Sequence, residues 1–439
     1  MPTDPQISVK SFYNRLSPIY GSAVPPLETL FGEDASVIRE IDFQIVLLVA
    51  VVIPFGNGLL SPTLDSLVEP LGASPATIGW LISVFWAPGI LIVPIAGLLA
   101  DTYGRKRILV VSLLVYGIAG LAMAFTQSFT HALILRLLQG IGWAGLLPIV
   151  TTIIGDLYVP PRELTAQGLR VGVTGLTGAA VSLIAGALVV VSWQYPFLLF
   201  GLAIPVGLLV LLRFEEPTTL RSVADGETPN ARTQRRDLFV LLRRPAVRTI
   251  IVARFFPDVV WVAFATYISI VVVRILGGSP VQAGAMFAAV SILIGGSASQ
   301  AGRLSGWFPG RISLAVTAAL GYTAGLLVVM LATSIEIAFV GTAVFGVSFG
   351  IAIATFVSLL TDLAPDSQRS SVVSIGATGG RLLGTLTPIA MGGVIASLTQ
   401  TVGFANSVRV AGILVAAVGG GGGILLLLAA RRVRQSTSP

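Results

Sequence analysis

The sequence predicts an all-α integral membrane protein, with twelve transmembrane helices arranged as two six-helix halves around a central cavity. Three observations carry that prediction. Charged residues are 11% of the 439-residue chain and hydrophobic residues 54%, against roughly a quarter charged in soluble domains. Long apolar runs recur throughout, separated by short charged segments. Two local patterns also return at one spacing: Leu71-Gly72-Ala73-Ser74-Pro75 recurs as Leu276-Gly277-Gly278-Ser279-Pro280, a shift of 205, and Asp156-Leu157 recurs as Asp362-Leu363, a shift of 206. A period shared by two patterns marks a duplicated unit.

The first 42 residues are polar and too charged to insert, and they lack the apolar core of a signal peptide. Phe12 to Tyr20 mixes aromatic and basic residues, but Pro18 interrupts it and disorder is the expectation. From Phe43 twelve apolar segments follow, at 43–64, 77–100, 108–126, 132–155, 165–191, 196–212, 249–273, 281–301, 312–332, 337–361, 370–397 and 408–430. Basic residues crowd the arm, the tail and alternate loops, while the opposite loops and helix ends carry Arg274 and Arg409, so both termini are expected in the cytoplasm. Between segments 6 and 7, Arg213 to Arg248 holds eight arginines and five acids among Pro, Thr and Ser. That composition reads as a linker. The chain therefore divides into a cytoplasmic arm (1–42), a first six-helix half (43–212), a cytoplasmic linker (213–248), a second half (249–430) and a cytoplasmic tail (431–439), with a solute path between the halves.

Composition also excludes. There is no cysteine and a single histidine, His131, so thiolate or histidine-rich metal centres, disulfides and Cys or His catalysis are out of reach. The net charge of +7 sits in short loops, where it sets topology and meets anionic lipid rather than nucleic acid. No nucleophile with a base and no paired carboxylates suggest an enzyme, and no cofactor is expected.

The most specific stretch joins segments 2 and 3: Gly97-Leu98-Leu99-Ala100-Asp101-Thr102-Tyr103-Gly104-Arg105-Lys106-Arg107. So short a turn makes two spans antiparallel neighbours. Gly97 permits close backbone approach, Asp101 can favour a helix N-terminus, and Gly104 can take the positive φ of a tight reversal. This turn, the 6+6 duplication and the basic linker resemble the major facilitator superfamily of secondary transporters, over residues 43 to 430. Gly97, Leu99, Asp101, Gly104, Arg105 and Lys106 match its loop motif, although Thr102 stands where a basic residue is common. Arg136-Leu137-Leu138-Gln139-Gly140-Ile141-Gly142 is similar to its helix 4 motif. Its helix 5 export signature is half present: Gly168, Gly172, Gly175, Gly178 and Gly186 occur without the Gly-Pro pair.

The resemblance implies a conformational latch: Asp101 against the start of helix 11 near Ser370 and Ser371, and Arg105 against Asp156. The second half reads Gly302-Arg303 through Gly310-Arg311, so its aspartate is gone while Gly302, Arg311 and Asp362 remain, which implies a lopsided latch.

Asp258 is the one acid at mid-span. It follows Pro257, which removes a backbone donor and kinks the helix, so carboxylate and freed carbonyls can share a cavity. Arg254, four residues earlier, offers an i,i+4 pair; proton coupling and structural pairing are both open readings. Arg381 lies about 18 Å into segment 11, at about 1.5 Å per residue, too deep to snorkel, so it needs Asp258 or an anionic solute as partner. Arg136 is a motif residue that is either a solute contact or an outward-snorkelling one, whereas Arg170 is expected to snorkel to the cytoplasm. Trp261 and Phe264 would set aromatic surface beside Asp258 for an amphipathic cation or for lipid. Asn57 and Gln139 would bind solute or bond between helices, and the run Gly419 to Gly423 is structural.

These residues imply a transporter that moves a small organic solute by alternating access, coupled to protons at Asp258, with efflux favoured. Uptake of a small organic anion through Arg136 and Arg381 is the alternative. A non-transporting membrane sensor on the same fold is a third reading. The expected partners are solute, protons and the lipid bilayer, and the expected state is a monomer.

Overall fold

The computed structural model describes residues 33–159, 161–216, 238–365 and 368–437. Eleven helices among them are long and apolar enough to cross a membrane. In chain order with one further helix they are α1 (Ile41–Thr63), α2 (Trp80–Trp86 and Pro88–Tyr103), α3 (Arg105–Phe125), α4 (Phe129–Leu157), α5 (Arg162–Val191), α6 (Tyr195–Arg213), α7 (Pro245–Ile275), α8 (Pro280–Ser305), α9 (Arg311–Leu331), α10 (Ile335–Leu363), α11 (Ser371–Val402) and α12 (Phe404–Arg432). Segment 2 loses one helical hydrogen bond at Ala87, because Pro88 has no N–H to donate. The end of the N-terminal arm is also more ordered than its polarity implies. Glu33–Arg39 forms a 3₁₀ helix with Val37 fully buried, and Glu40 accepts from Tyr158 Oη at 2.8 Å and Arg162 Nη2 at 2.5 Å. Residues 1–32, with the Phe12 to Tyr20 stretch, and 217–237 of the linker lie outside the described residues.

Hydrocarbon leaves no water for backbone groups, so each helix break must be satisfied by the protein. In α1 the break falls at Pro54. The carbonyls it frees are taken up by side chains: Tyr116 Oη donates to Val52 O at 3.2 Å, and Trp143 Nε1 to Ile53 O at 3.2 Å. In α7 the helix breaks at Arg254 and Phe255, ahead of Pro257, as the missing proline N–H dictates. The glycine run of α12 loosens that helix into a π-turn, Ala416–Gly421. Its open surface takes the side chains of Val259, Val260 and Thr323 from α7 and α9.

The duplication is visible in the backbone. Gly72 and Gly277 have φ of 63° and 67°, and Gly104 and Gly310 have φ of 93° and 143°. Each pair sits at equivalent places in the two copies, where the chain turns too tightly for an L side chain. The glycines of the helix 4 motif serve packing instead. A Cβ on Gly140 would come 2.3 Å from Phe85 O of α2, and one on Gly142 would come 2.6 Å from Tyr116 N of α3. Backbone thus touches backbone on two sides of α4. Gly140→Ala should cost about 1–3 kcal/mol through overpacking and lower the thermal unfolding temperature by several degrees. Gly168→Ala, in open space, should leave it unchanged in the same detergent.

Candidate functional site

The halves meet closely at one end. At the end remote from the linker, a Cβ on Gly284 of α8 would lie 2.4 Å from Ser182 O of α5, and one on Gly392 of α11 would lie 2.1 Å from Ala76 O. Contacts that close leave no room for a solute. At the linker end, Gly97, Gly168, Gly172, Gly175, Gly295, Gly296 and Gly302 face nothing within 4 Å. Open space lies beside those glycines.

The remote end is also locked by polar contacts that the sequence did not single out. Asp65, just beyond α1, is bound by Arg274 of α7 at 2.5 Å, and Ser269 Oγ donates to Pro62 O at 2.9 Å while accepting from Asp65 N at 3.4 Å. Asp65 is buried and Arg274 partly exposed. The sequence marked Arg274 as an outer charge; its partner lies 209 residues away, so only packing could name it.

At the linker end the loop motif is built as an ion-pair frame. Arg105 pairs with Asp156, and Arg311 pairs with Asp362 at the equivalent place in the second half. Both pairs link the start of one helix to the end of the next. The positive φ of Gly104 turns the N-terminus of α3 toward Glu216, which accepts from Arg105 N at 2.6 Å and Lys106 N at 2.9 Å. A carboxylate there satisfies two orphan donors and complements the helix dipole. Glu216 was missed; the signal was two acids, Glu215 and Glu216, among the linker arginines. The side chains of Asp101 and Ser370 lie outside the described residues, and with them the expected contact of Asp101 with helix 11.

In mid-span the candidates separate into two groups. Arg136 and Gln139 are fully buried and form a brace among α1, α2 and α4, so the outward snorkelling expected as one reading of Arg136 is corrected. Arg136 donates to Leu81 O at 3.1 Å, to Gly56 O at 3.2 Å and to Gln139 Oε1, and it lies 4.1 Å from the Phe85 ring centroid. Carbonyls and an aromatic face, rather than a carboxylate, hold this charge. Asn57 accepts from Trp86 Nε1 at 3.3 Å.

The second group lies on α7 and α11. Arg254 binds Asp258 at 3.2 Å, and a Cβ on Gly380 would fall 2.0 Å from Asp258 Oδ2, so the carboxylate rests on the α11 backbone. Arg381 is within electrostatic range of both. Arg170 bonds Gln167 within α5. Trp261 and Phe264 do not form an open wall beside Asp258; Phe264 is fully buried and both rings stack into Phe287 and Phe345, with Trp261 also on Phe349. Stacking in the second half is the stronger pull on those rings. Among the described residues no three His, Cys, Asp or Glu side chains converge to hold a metal ion.

A family model described as Major Facilitator Superfamily matches residues 46–388. The chain belongs to the Major Facilitator Superfamily. Among curated relatives, the bacillibactin exporter of Bacillus subtilis (strain 168) is 37% identical over 153 residues, 34% of this chain and 38% of that protein. Multidrug resistance protein 3 of the same organism is 31% identical over 157 residues, 35% of this chain and 30% of that protein. The match thus spans 38% and 30% of the length of these two proteins. The 3-(3-hydroxy-phenyl)propionate transporter of Escherichia coli (strain K12) is 29% identical over 348 residues, 77% of this chain and 83% of that protein. Among solved structures, a bacterial homolog to the human lysosomal transporter Spinster, in an inward-facing and occupied conformation, superposes with a TM-score of 0.77 at 16% identity, covering 90% of this chain and 97% of that one. That likeness shows the facilitator fold.

Burial holds the Asp65 carboxyl above its ordinary range, outweighing the Arg274 guanidinium that pulls it down. An acid whose value is raised in the closed form stabilises that form as pH falls through the raised value, and opposes it as pH rises. Spin labels at Gln127 and Thr333, in the remote loops, should therefore report more separated halves at alkaline than at acid pH. Asp65→Asn should flatten that dependence; an unchanged pH profile in the variant would assign it elsewhere.

Proposed function

We propose that this facilitator is a secondary transporter of the cell membrane that moves a small organic solute by alternating access, with export as the working direction and protons coupled at Asp258. The observation that carries the reading is the seal of backbone contact between the halves at the end remote from the linker, with mid-span charges on α7 and α11 below it. A path with one seal is one state of a two-state cycle. The Arg105–Asp156 and Arg311–Asp362 pairs keep each half rigid as it moves.

Orientation follows from the basic residues, which place the linker, both termini and the open end in the cytoplasm. A cavity open to the cytoplasm collects its solute there, which supports export. The names of two relatives, a bacillibactin exporter and a multidrug resistance protein, agree with it. Asp258 is the coupling group because its single ion pair to Arg254 is reversible: protonation releases the guanidinium, and deprotonation recaptures it. The intact frame of the loop motif supports a moving transporter over a static sensor.

The chain has no cysteine, so labels at Gly168→Cys and Gly302→Cys report the linker-end gap without background. Two distance populations whose ratio changes with pH, and stops changing in Asp258→Asn, are the expected result. One fixed distance at every pH would reject alternating access. In everted vesicles acidified by respiration, an exported solute should dissipate the proton gradient on addition, read by a pH-quenched dye, and should fail to do so with Asp258→Asn.

A further inference from the structure

Arg381 is a guanidinium deep in α11. Among the described residues it makes no hydrogen bond and no ion pair; its interactions are the electrostatic ones with Asp258 and Arg254. Asp258 is already bound by Arg254, so the cluster of two guanidiniums and one carboxylate keeps a positive charge over. Such a charge in a span needs a partner, and a ligand anion can supply it.

The surroundings define the rest of that ligand. Arg381 reaches across to the first half: a Cβ on Gly89 of α2 would sit 3.6 Å from its Cδ. One turn before Gly89 is Trp86, whose Cζ3 lies 3.7 Å from the Cβ position of Gly384, one turn beyond Arg381. Trp86 stacks on Trp143 at 6.5 Å and 27°. Both indole N–H groups are engaged, with Asn57 Oδ1 and Ile53 O. Both indoles are half-buried, so what they leave for a ligand is apolar ring surface.

We infer that Arg381, Trp86 and Trp143 form a binding station for a small organic monoanion with a flat aromatic body, the carboxylate in the guanidinium fork and the ring against the indoles. The planar fork of arginine matches the two carboxylate oxygens, and aromatic surface favours a flat apolar partner. The station deepens the transport reading by naming the solute class, and it rests on that reading for the claim that the bound anion is cargo. Cations are disfavoured, because the nearby carboxylate is already engaged by a guanidinium.

The test is thermal unfolding of the purified chain with phenylacetate, 2-phenylethanol, 2-phenylethylamine and acetate at millimolar concentration, since a ligand of the folded state raises its apparent stability. Phenylacetate should stabilise most. Its apparent affinity should fall at least tenfold in Arg381→Gln and less in Arg381→Lys, which keeps the charge and loses the fork. Trp86→Leu should narrow the advantage of phenylacetate over acetate. Equal stabilisation by the alcohol, preference for the amine, no stabilisation by phenylacetate, or unchanged affinity in the Arg381 variants would overturn the assignment. Arg381→Lys keeps the test decisive should Arg381→Gln fail to fold. Counterflow in proteoliposomes separates the two claims: carboxylate binding without counterflow keeps the station and rejects transport, whereas counterflow of other solutes without carboxylate binding keeps transport and rejects the station.

Discussion

Everything in this facilitator hangs on the backbone contact between its halves at the end remote from the linker. Gly284 on α8 and Gly392 on α11 let one helix lie against the carbonyls of another, a packing that hydrocarbon rewards because apolar side chains gain little by leaving lipid. At the linker end, by contrast, Gly97, Gly168 and Gly302 have open space beside them. Asp65 and Arg274 add a bond that exists while the seam is shut. A closure held by many weak contacts and one partly exposed ion pair can be undone as a unit.

The charges inside the spans are settled in three different ways. Arg136 is fully buried and satisfied by Leu81 O, Gly56 O and Gln139; it ties α4 to α1 and α2. Asp258 is paired with Arg254 on its own helix, which neutralises both without fixing either to the other half. Arg381 leans on the first half with its charge unmatched by a direct bond. One brace, one reversible pair and one open guanidinium make a chemically graded path rather than three copies of one site.

The loop motif works by the same economy of position. Arg105–Asp156 and Arg311–Asp362 tie helix starts to helix ends within a half. Glu216 then fastens the linker to the first turn of α3. That carboxylate makes the linker part of the frame at its first residues.

The sequence by itself determined the twelve spans, the duplication and the kink at Pro257, because each follows from local rules: apolar length, a repeated spacing and a missing N–H; the pairing of Arg105 with Asp156 came only from the family resemblance. The sequence also marked Asp258 and Arg381, since charges in long apolar runs are conspicuous. What only the tertiary structure decided is which way those side chains face. A helix can be rotated about its axis without changing its apolar count, so Arg136 and Arg381 look alike in sequence while one is sealed and the other is not. Trp261 and Phe264 stack into the second half, and Trp86 and Trp143, unremarked in the sequence, stand at the station instead. Asp65 with Arg274, and Glu216 with α3, depend on partners more than a hundred residues away, and no local pattern encodes a distance of that kind.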